Sequence, residues 1–339
     1  MTTSATQRSV RSLMRHPEQD ETLNILTFTT HERYEHNLCK TGHNFYALNV
    51  GAKTWDTDYA EIPENYSIIN ELPEYVDFDI ILAHTSDDRL QHTHDILSQT
   101  QGSFLNKLSI PILRHTHVLP DIRMDTNQQI KNFHSIPVNK NCFISDFNRR
   151  EWGFDETNSC FIKHGVDTDF WKYDDSQRAN VCLSVVNDWP NRDWCCGFDV
   201  WRRTVKDLPV SVWGKSPGFS EPAESTEHLR KIYNSSRIFF NTSLHSPVPT
   251  VLLEAMACGC AIVSTATCMI PEVIQHGYNG LISNDPKELR SFLELLLNNE
   301  QLAIDLGNNA RKTIEKEYNL DIFISEWDKL LYSTVREFK

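Results

Sequence analysis

From about residue 180 onward, short runs of β-branched and aromatic residues alternate with stretches of helical period. "VCLSVV", "PVSVW", "RIFFN", "CAIVS" and "GLI" read as strands, and between them "CGFDVWRRTV", "STEHLRKIY", "PTVLLEAMACG" and "PEVIQHG" read as helices. Such alternation predicts a doubly wound parallel sheet. Helix punctuation agrees: Asp285, Pro286 and Glu288 in "DPKELRSFLELLL" make a capping signal with proline at the first helical position, and Gly259 stands where the preceding helix should stop.

The first half keeps the same rhythm through candidate strands "NILTFTT", "FYALNV", "FDIILAH", "PILRHTH", "CFIS" and "CFIKHG". The expected fold is therefore α/β, with two Rossmann-like domains. Residues 1–20 read as a flexible tail and 21–170 as the first domain, with helix 322–339 packing back on it. Residues 171–321 read as the second domain. The polar, aperiodic "GVDTDFWKYDDSQRAN" reads as the linker. Parallel sheets joined by a hinge would face each other across a cleft at their carboxyl ends, where such sheets bind ligands.

Charge narrows the partners. The net charge is −13, and residues 1–170 carry 15 Lys+Arg against 24 Asp+Glu. A broad nucleic-acid surface is not expected on so acidic a half. Arg8, Arg11 and Arg15 in "RSVRSLMR" recur at helical spacing and form the one basic stretch that could touch membrane or nucleic acid; the alternative is a disordered tail. No apolar run has the length of a membrane span, and the N-terminus lacks the apolar core of a secretory signal, so a cytoplasmic protein without integral membrane contact is expected. The nine cysteines include no CxxC pair and read as reduced core fillers, the CxC at Cys258 and Cys260 included.

One carboxylate breaks the apolar run "SPVPTVLLEAMACGCAIVS". Pro247 and Pro249 are tolerated only in the first turn of a helix, so a helix is expected to begin near Val248, with Thr250 and Glu254 on one face. The free N–H groups at that helix start, with the positive end of its dipole, suit a phosphate. Glu254 would then accept hydrogen bonds from vicinal hydroxyls such as those of a ribose. The alternative is a carboxylate that is favourable near a helix N-terminus and paired with a basic neighbour.

"PTVLLEAMACGCAIVSTATCMIPEVIQHGYNGLI" resembles the donor-binding segment of retaining GT-B glycosyltransferases, glycosyltransferase family 4. Weaker similarity runs through "KHGVDTDFW", "VWGKSPG", "RIFFNTS" and "EWDKLL". The resemblance implies GT-B architecture and a nucleoside diphosphate sugar donor, with Glu254 on the donor ribose and the amides of Thr250 and Val251 near the diphosphate and sugar. Ser246 and Gly214 complete the implied donor set. Three departures stand out. Ser246 occupies the place of the family's first acidic residue. The glycine-rich loop after the first strand is replaced by "TFTTHERYEHNLCKTGH", which keeps Glu32, Arg33, Gly42 and His43. Of the family's Arg and Lys after the first strand of the second domain, the Lys position holds Arg192 while the Arg position looks apolar, near Val186.

Arg192, with Lys215, is the expected clamp for charge developing on the leaving diphosphate, since a guanidinium fork binds two oxygens. Arg149 and Arg150 are weaker candidates, with a solvated helix face as the alternative. His117, after a buried strand, would hydrogen-bond a sugar hydroxyl or shuttle a proton; the bland reading of it, with His115 alongside, is a structural loop histidine, and His84 follows on the same grounds. No Asp-x-Asp triplet lies in a phosphate context, so neither a metal nor another cofactor is expected. The function expected is transfer of a hexose or pentose with retention, by front-face displacement, to a hydroxyl of unidentified acceptor: a glycan, lipid or small molecule. The alternatives are transfer to a hydroxylated DNA base, or an impaired sugar-nucleotide or glycan binder.

Overall fold

The computed structural model of the protein describes residues 10–11, 14–15, 17, 21–49, 54–85 and 110–338. The chain divides into two compact units, Met1–Lys163 with Asp321–Lys339, and His164–Leu320. Both are parallel-stranded α/β layers, as the alternating pattern predicts.

In the first unit, strands β1 (Asn24–Thr27), β2 (Asn44–Leu48), β3 (Tyr66–Ile69), β4 (Ile80–Thr85), β5 (Ile112–Thr116), β6 (Lys140–Phe143) and β7 (Ser159–Phe161) form one sheet in the order β3-β2-β1-β4-β5-β6-β7. Every pairing is parallel. Helices α1 (Glu32–Cys39), α2 (Thr126–Ser135) and α3 (Asp146–Glu151) lie between them in sequence. Ile25, Leu26, Ile81 and Leu82 on the central strands are buried on both faces, so these strands read as continuous apolar runs. The pattern misses β3, because this edge strand turns Ser67 and Ile68 to solvent.

The second unit contains β8 (Ala179–Val185), α4 (Asp193–Cys196), α5 (Phe198–Thr204), β9 (Val210–Trp213), α6 (Thr226–Asn234), β10 (Ser236–Asn241), α7 (Thr250–Ala257), β11 (Ala261–Ser264), α8 (Ile270–Val273), β12 (Leu281–Ile282), α9 (Pro286–Asn298) and α10 (Glu300–Glu317). Its five parallel strands run β12-β11-β10-β8-β9. Ile238, Phe240, Val263, Leu289, Leu293 and Leu306 join sheet and helices in one core. Asp285 caps α9 by accepting from the Lys287 amide, while Glu288 takes the Ser283 hydroxyl at 2.5 Å rather than closing a capping box.

The last helix, α11 (Leu320–Phe338), turns Phe323, Trp327, Leu331 and Val335 inward at four-residue spacing, and the Trp327 indole donates to the Tyr34 hydroxyl at 2.9 Å. The polar segment after β7 is tied down within the second unit. Val166 pairs with Asn319, and Arg311 donates to the carbonyls of Thr168 (2.9 Å), Trp171 and Ala257 (2.8 Å). Its composition reads as a linker because these bonds use backbone carbonyls, which leave no mark in the sequence.

Arg11 forms an ion pair with Asp77 at 3.0 Å, and Arg15 one with the fully buried Asp79 at 2.8 Å. These guanidiniums are turned onto the first unit's own carboxylates; Arg8 lies outside the described residues.

His43 gives this unit an acid sensitivity. Its Nδ1 accepts from the Leu23 amide (3.3 Å), so in the neutral ring Nε2 carries the proton toward Asp328, 3.1 Å away. Burial lowers the pKa, and Asp328 offsets part of that shift. The unfolded chain therefore binds a proton more readily than the folded one. The group's contribution to stability is complete above the unfolded pKa of about 6.5 and is lost as pH falls from there toward the folded value. Urea midpoints are expected to drop below about pH 6.5, and His43→Gln should make the slope shallower.

Candidate functional site

In the second unit the chain runs from β8 outward to β9 and then crosses back to β10 on the other side of β8. Loops leaving β8 and β10 therefore diverge at the carboxyl edge, the place where open parallel sheets hold ligands. Sequence position puts Arg192 and Ser246 in these two loops, Thr250, Val251 and Glu254 on the helix that follows, and Gly214 and Lys215 just beyond β9. All seven of these residues thus belong to one sheet edge.

Backbone bonds hold the loops together. The Cys195 carbonyl at the end of the Arg192 turn accepts from the amides of Leu244 (2.8 Å) and His245 (3.1 Å), one residue before Ser246. The Trp194 and His245 rings lie 5.8 Å apart across the same junction. On the other side, the Lys215 amide donates to Asn187 Oδ1 at 2.8 Å and its carbonyl accepts from the Asp188 amide at 2.8 Å. Deeper in, the Ser243 carbonyl accepts from both Thr265 and Thr267 hydroxyls at 2.5 Å, and Thr242 Oγ1 donates to the Cys196 carbonyl at 2.9 Å. A loop edge fixed this way is preorganised, which lowers the cost of ordering it around a ligand. The side chains of Arg192 and Lys215 are exposed on it.

Gly214 is required by this packing. It sits at φ +121, and a Cβ there would stand 2.2 Å from the Val186 carbonyl oxygen. The apolar Val186 thus offers its backbone, rather than its side chain, to the neighbouring loop. Gly214→Ala is expected to cost about 2–3 kcal/mol, from both the left-handed strain and the clash, read as a lower thermal midpoint with the substrate-free protein.

Helix α7 begins at Thr250, two residues later than the prolines predict, because Pro249 holds the N-cap position at φ −67, ψ 122 and a residue before proline is biased away from the helical region. Glu254 is therefore the fifth helical residue. It is 6% exposed, and its Oε2 accepts from the Tyr233 hydroxyl at 3.0 Å. The Tyr233 hydroxyl thereby orients the carboxylate. At the far end, Gly259 has φ +71, and Arg178 donates to the carbonyls of Cys258 (2.5 Å) and Gly259 (2.9 Å), with Arg311 on Ala257. Two guanidiniums thus complement the negative end of α7. Cys258 and Cys260 are buried free thiols whose pKa values burial raises, in keeping with core filling.

The remaining candidates lie in the first unit. His84, His115 and His117 are all buried, with Nδ1 of His84 2.9 Å from Nε2 of His117. Arg149 pairs with Asp146 and is buried, and Arg150 pairs with the same carboxylate at 3.0 Å. Arg150 sits on a solvated face, whereas Arg149, in the same last turn of α3, is buried. The loop after β1, where a glycine-rich turn was missing, is organised by Glu35. Its Oε1 accepts from the amides of Thr30 and His31, both at 2.7 Å, and its Oε2 from the Tyr66 hydroxyl at 2.6 Å. Burial raises the Glu35 pKa while these bonds oppose the shift. A carboxylate of the chain itself thus takes the amides that could otherwise cradle a phosphate.

Residues 222–313, which contain α6 through most of α10, match the model of the glycosyl transferases group 1. Across both units the architecture is similar to solved structures. These include Anabaena HepE in complex with UDP-glucose (TM-score 0.71, 14% identity, covering 92% of this chain and 100% of that one). They also include sucrose-phosphate synthase from Thermosynechococcus elongatus (TM-score 0.67, 13% identity, 91% and 98%). The fold is that of the GT-B glycosyltransferases. Among characterised sequences, N-acetyl-alpha-D-glucosaminyl L-malate synthase of Bacillus anthracis is 34% identical over 26% of this chain and 24% of its own length. An uncharacterized glycosyltransferase of Haemophilus influenzae is 30% identical over 40% and 45%. The chain thus matches less than half the length of either relative.

Within the group 1 segment, sequence reasoning missed Tyr233. It reads as one more apolar residue on the inner face of α6, and only the packing of α6 against α7 brings its hydroxyl to Glu254. Glu35 left a partial signal as an acidic residue in the first turn of α1. Among the described residues no helix is long and apolar enough to cross a membrane.

Proposed function

We propose that the protein is a cytoplasmic retaining glycosyltransferase that moves a hexose or pentose from a nucleoside diphosphate sugar to an acceptor hydroxyl, without a metal at the diphosphate. The observation that carries this reading is the buried Glu254 carboxylate, oriented by Tyr233 on the helix that follows a carboxyl-edge loop, within the group 1 segment. A carboxylate held in this way suits the paired hydroxyls of a ribose. UDP and UDP-glucose in the similar HepE structures make a uridine diphosphate sugar the first donor to test.

In this reading Thr250 and Val251 present helix-start amides to the diphosphate, and Arg192, assisted by Lys215, takes the charge that grows on the β-phosphate as the bond from C1 to the phosphate oxygen breaks. The acceptor oxygen bonds to C1 on the face the diphosphate is leaving, and its proton passes to a β-phosphate oxygen. No protein nucleophile forms a bond. Ser246 replaces a charged acceptor of sugar hydroxyls with a neutral one, while the Gly214 turn sets the position of Lys215. His117 is assigned to the acceptor side. The ion pairs of Arg11 and Arg15 weigh against a DNA-base acceptor.

The test is turnover with a panel of nucleotide sugars and acceptors, with product stereochemistry read by NMR. Transfer with the donor's anomeric configuration kept is expected. Inverted product would overturn the front-face mechanism, and donor binding with no transfer to any acceptor would leave a binding protein instead.

A further inference from the structure

The first unit gathers His117 into a cluster with two further histidines, His84 and His115, to which sugar transfer gives no role. In the parallel register of β4 and β5, His84 stands opposite His115. His117, two residues beyond His115, returns to the same side of the sheet by strand alternation. The three rings meet at centroid distances of 4.3 Å (His115–His117), 5.2 Å (His84–His117) and 5.6 Å (His84–His115). One ring nitrogen from each lies within 4.8 Å of the others.

We propose that His84, His115 and His117 bind a divalent transition-metal ion of the zinc class through three imidazole nitrogens. This inference shares His117 with the acceptor side of the sugar-transfer reading and places no metal on the donor diphosphate.

Three observations support it. First, the donors are all imidazole nitrogens, a set that favours zinc, cobalt or nickel over magnesium or calcium, which want oxygen. Second, the donors are set by the fold: His84 and His115 are register partners on adjacent strands, and all three rings are buried. Third, the site has rigid walls. Tyr34 packs at 4.6 Å from His117 and 5.0 Å from His115, Trp327 at 4.9 Å from His115, and His31 stacks on His117 at 5.8 Å. The Trp327 indole fixes the Tyr34 hydroxyl in turn. Nitrogens in a tetrahedral zinc site stand about 3.3 Å apart, so binding the ion draws together donor atoms that now lie within 4.8 Å of one another. Three protein ligands leave a fourth position for water or a substrate oxygen.

The test uses the full-length protein, stripped with a chelator, checked for its fold by far-ultraviolet circular dichroism, and titrated with cobalt(II). Visible d–d bands of a four-coordinate nitrogen site, saturating near one ion per chain, are expected, with zinc displacing the cobalt. His115→Ala should weaken cobalt binding by about 100-fold or more, whereas His276→Gln, on the exposed surface of the other unit, should bind as the parent does. Should His115→Ala not fold, the zinc content of the purified parent and the X-ray absorption of its first shell give the same answer. About one zinc per chain with nitrogen and oxygen neighbours alone supports the site. A folded parent that neither retains zinc nor takes up cobalt overturns it. So does a thiolate-to-cobalt charge-transfer band or a sulfur neighbour, which would place the ion on the cysteines.

Discussion

Glu254→Ala is expected to lower kcat/KM for the nucleotide sugar by about 10²–10⁴-fold, the loss of two charge-assisted hydrogen bonds worth roughly 1.5–3 kcal/mol each. The same substitution leaves the Tyr233 hydroxyl, now at 3.0 Å from the carboxylate, buried without that acceptor. A stability cost of about 1–3 kcal/mol should therefore accompany it. Two companions separate the effects. Glu254→Gln keeps the acceptor for Tyr233 and should fold like the parent while losing most of the affinity for nucleoside diphosphate. Tyr233→Phe loosens the carboxylate without removing it, so its loss of kcat/KM should be no more than about tenfold. Isothermal titration with UDP and steady-state kinetics on the folded variants check both. Undiminished UDP binding in Glu254→Gln would remove the ribose from Glu254.

Arg192→Ala is expected to act on kcat rather than on binding. Removing a preorganised donor aimed at developing charge costs about 10²–10³-fold, and the effect is confined to the step in which that charge appears. KM for the donor should move by less than about fivefold, because the ground-state diphosphate keeps the helix-start amides of α7. Arg192→Lys retains the charge but loses the two-pronged fork, and an intermediate kcat is expected. A drop in KM affinity with kcat intact would make Arg192 a binding residue instead. Lys215 provides a contrast: it is exposed beyond the Gly214 turn, and its removal should cost less than that of Arg192.

These expectations rest on residues of very different legibility. The strands of the second unit could be read almost to the residue, since parallel strands buried on both faces must be continuous apolar runs and the segments between them must carry an apolar stripe. β3 escaped because an edge strand has one wet face and no such run. The start of α7 was displaced by two residues because proline restricts the residue before it, a local rule that the sequence already contained.

The site was half legible. Glu254 announced itself as a charge in an apolar run, and the motif around it singled out the loops that meet there. Nothing local marked Tyr233 as its partner, Arg178 and Arg311 as the caps of α7, or Glu35 as occupant of the amides after β1. Each of those contacts joins residues from separate elements or a side chain to a distant carbonyl, and composition carries no record of which carbonyl is met.

The amino-acid sequence by itself determined the class of fold and the carboxyl-edge loops, because secondary structure follows from periodicity and proline and glycine rules that act within a few residues. Tertiary structure alone decided what each polar group faces. It brought Tyr233 to Glu254, laid the Gly214 backbone on Val186, and set His84 opposite His115 and beside His117 in the register of β4 and β5. Register and packing are set by how whole faces of apolar surface are buried together, and that sum over the core is not contained in any one stretch of the chain.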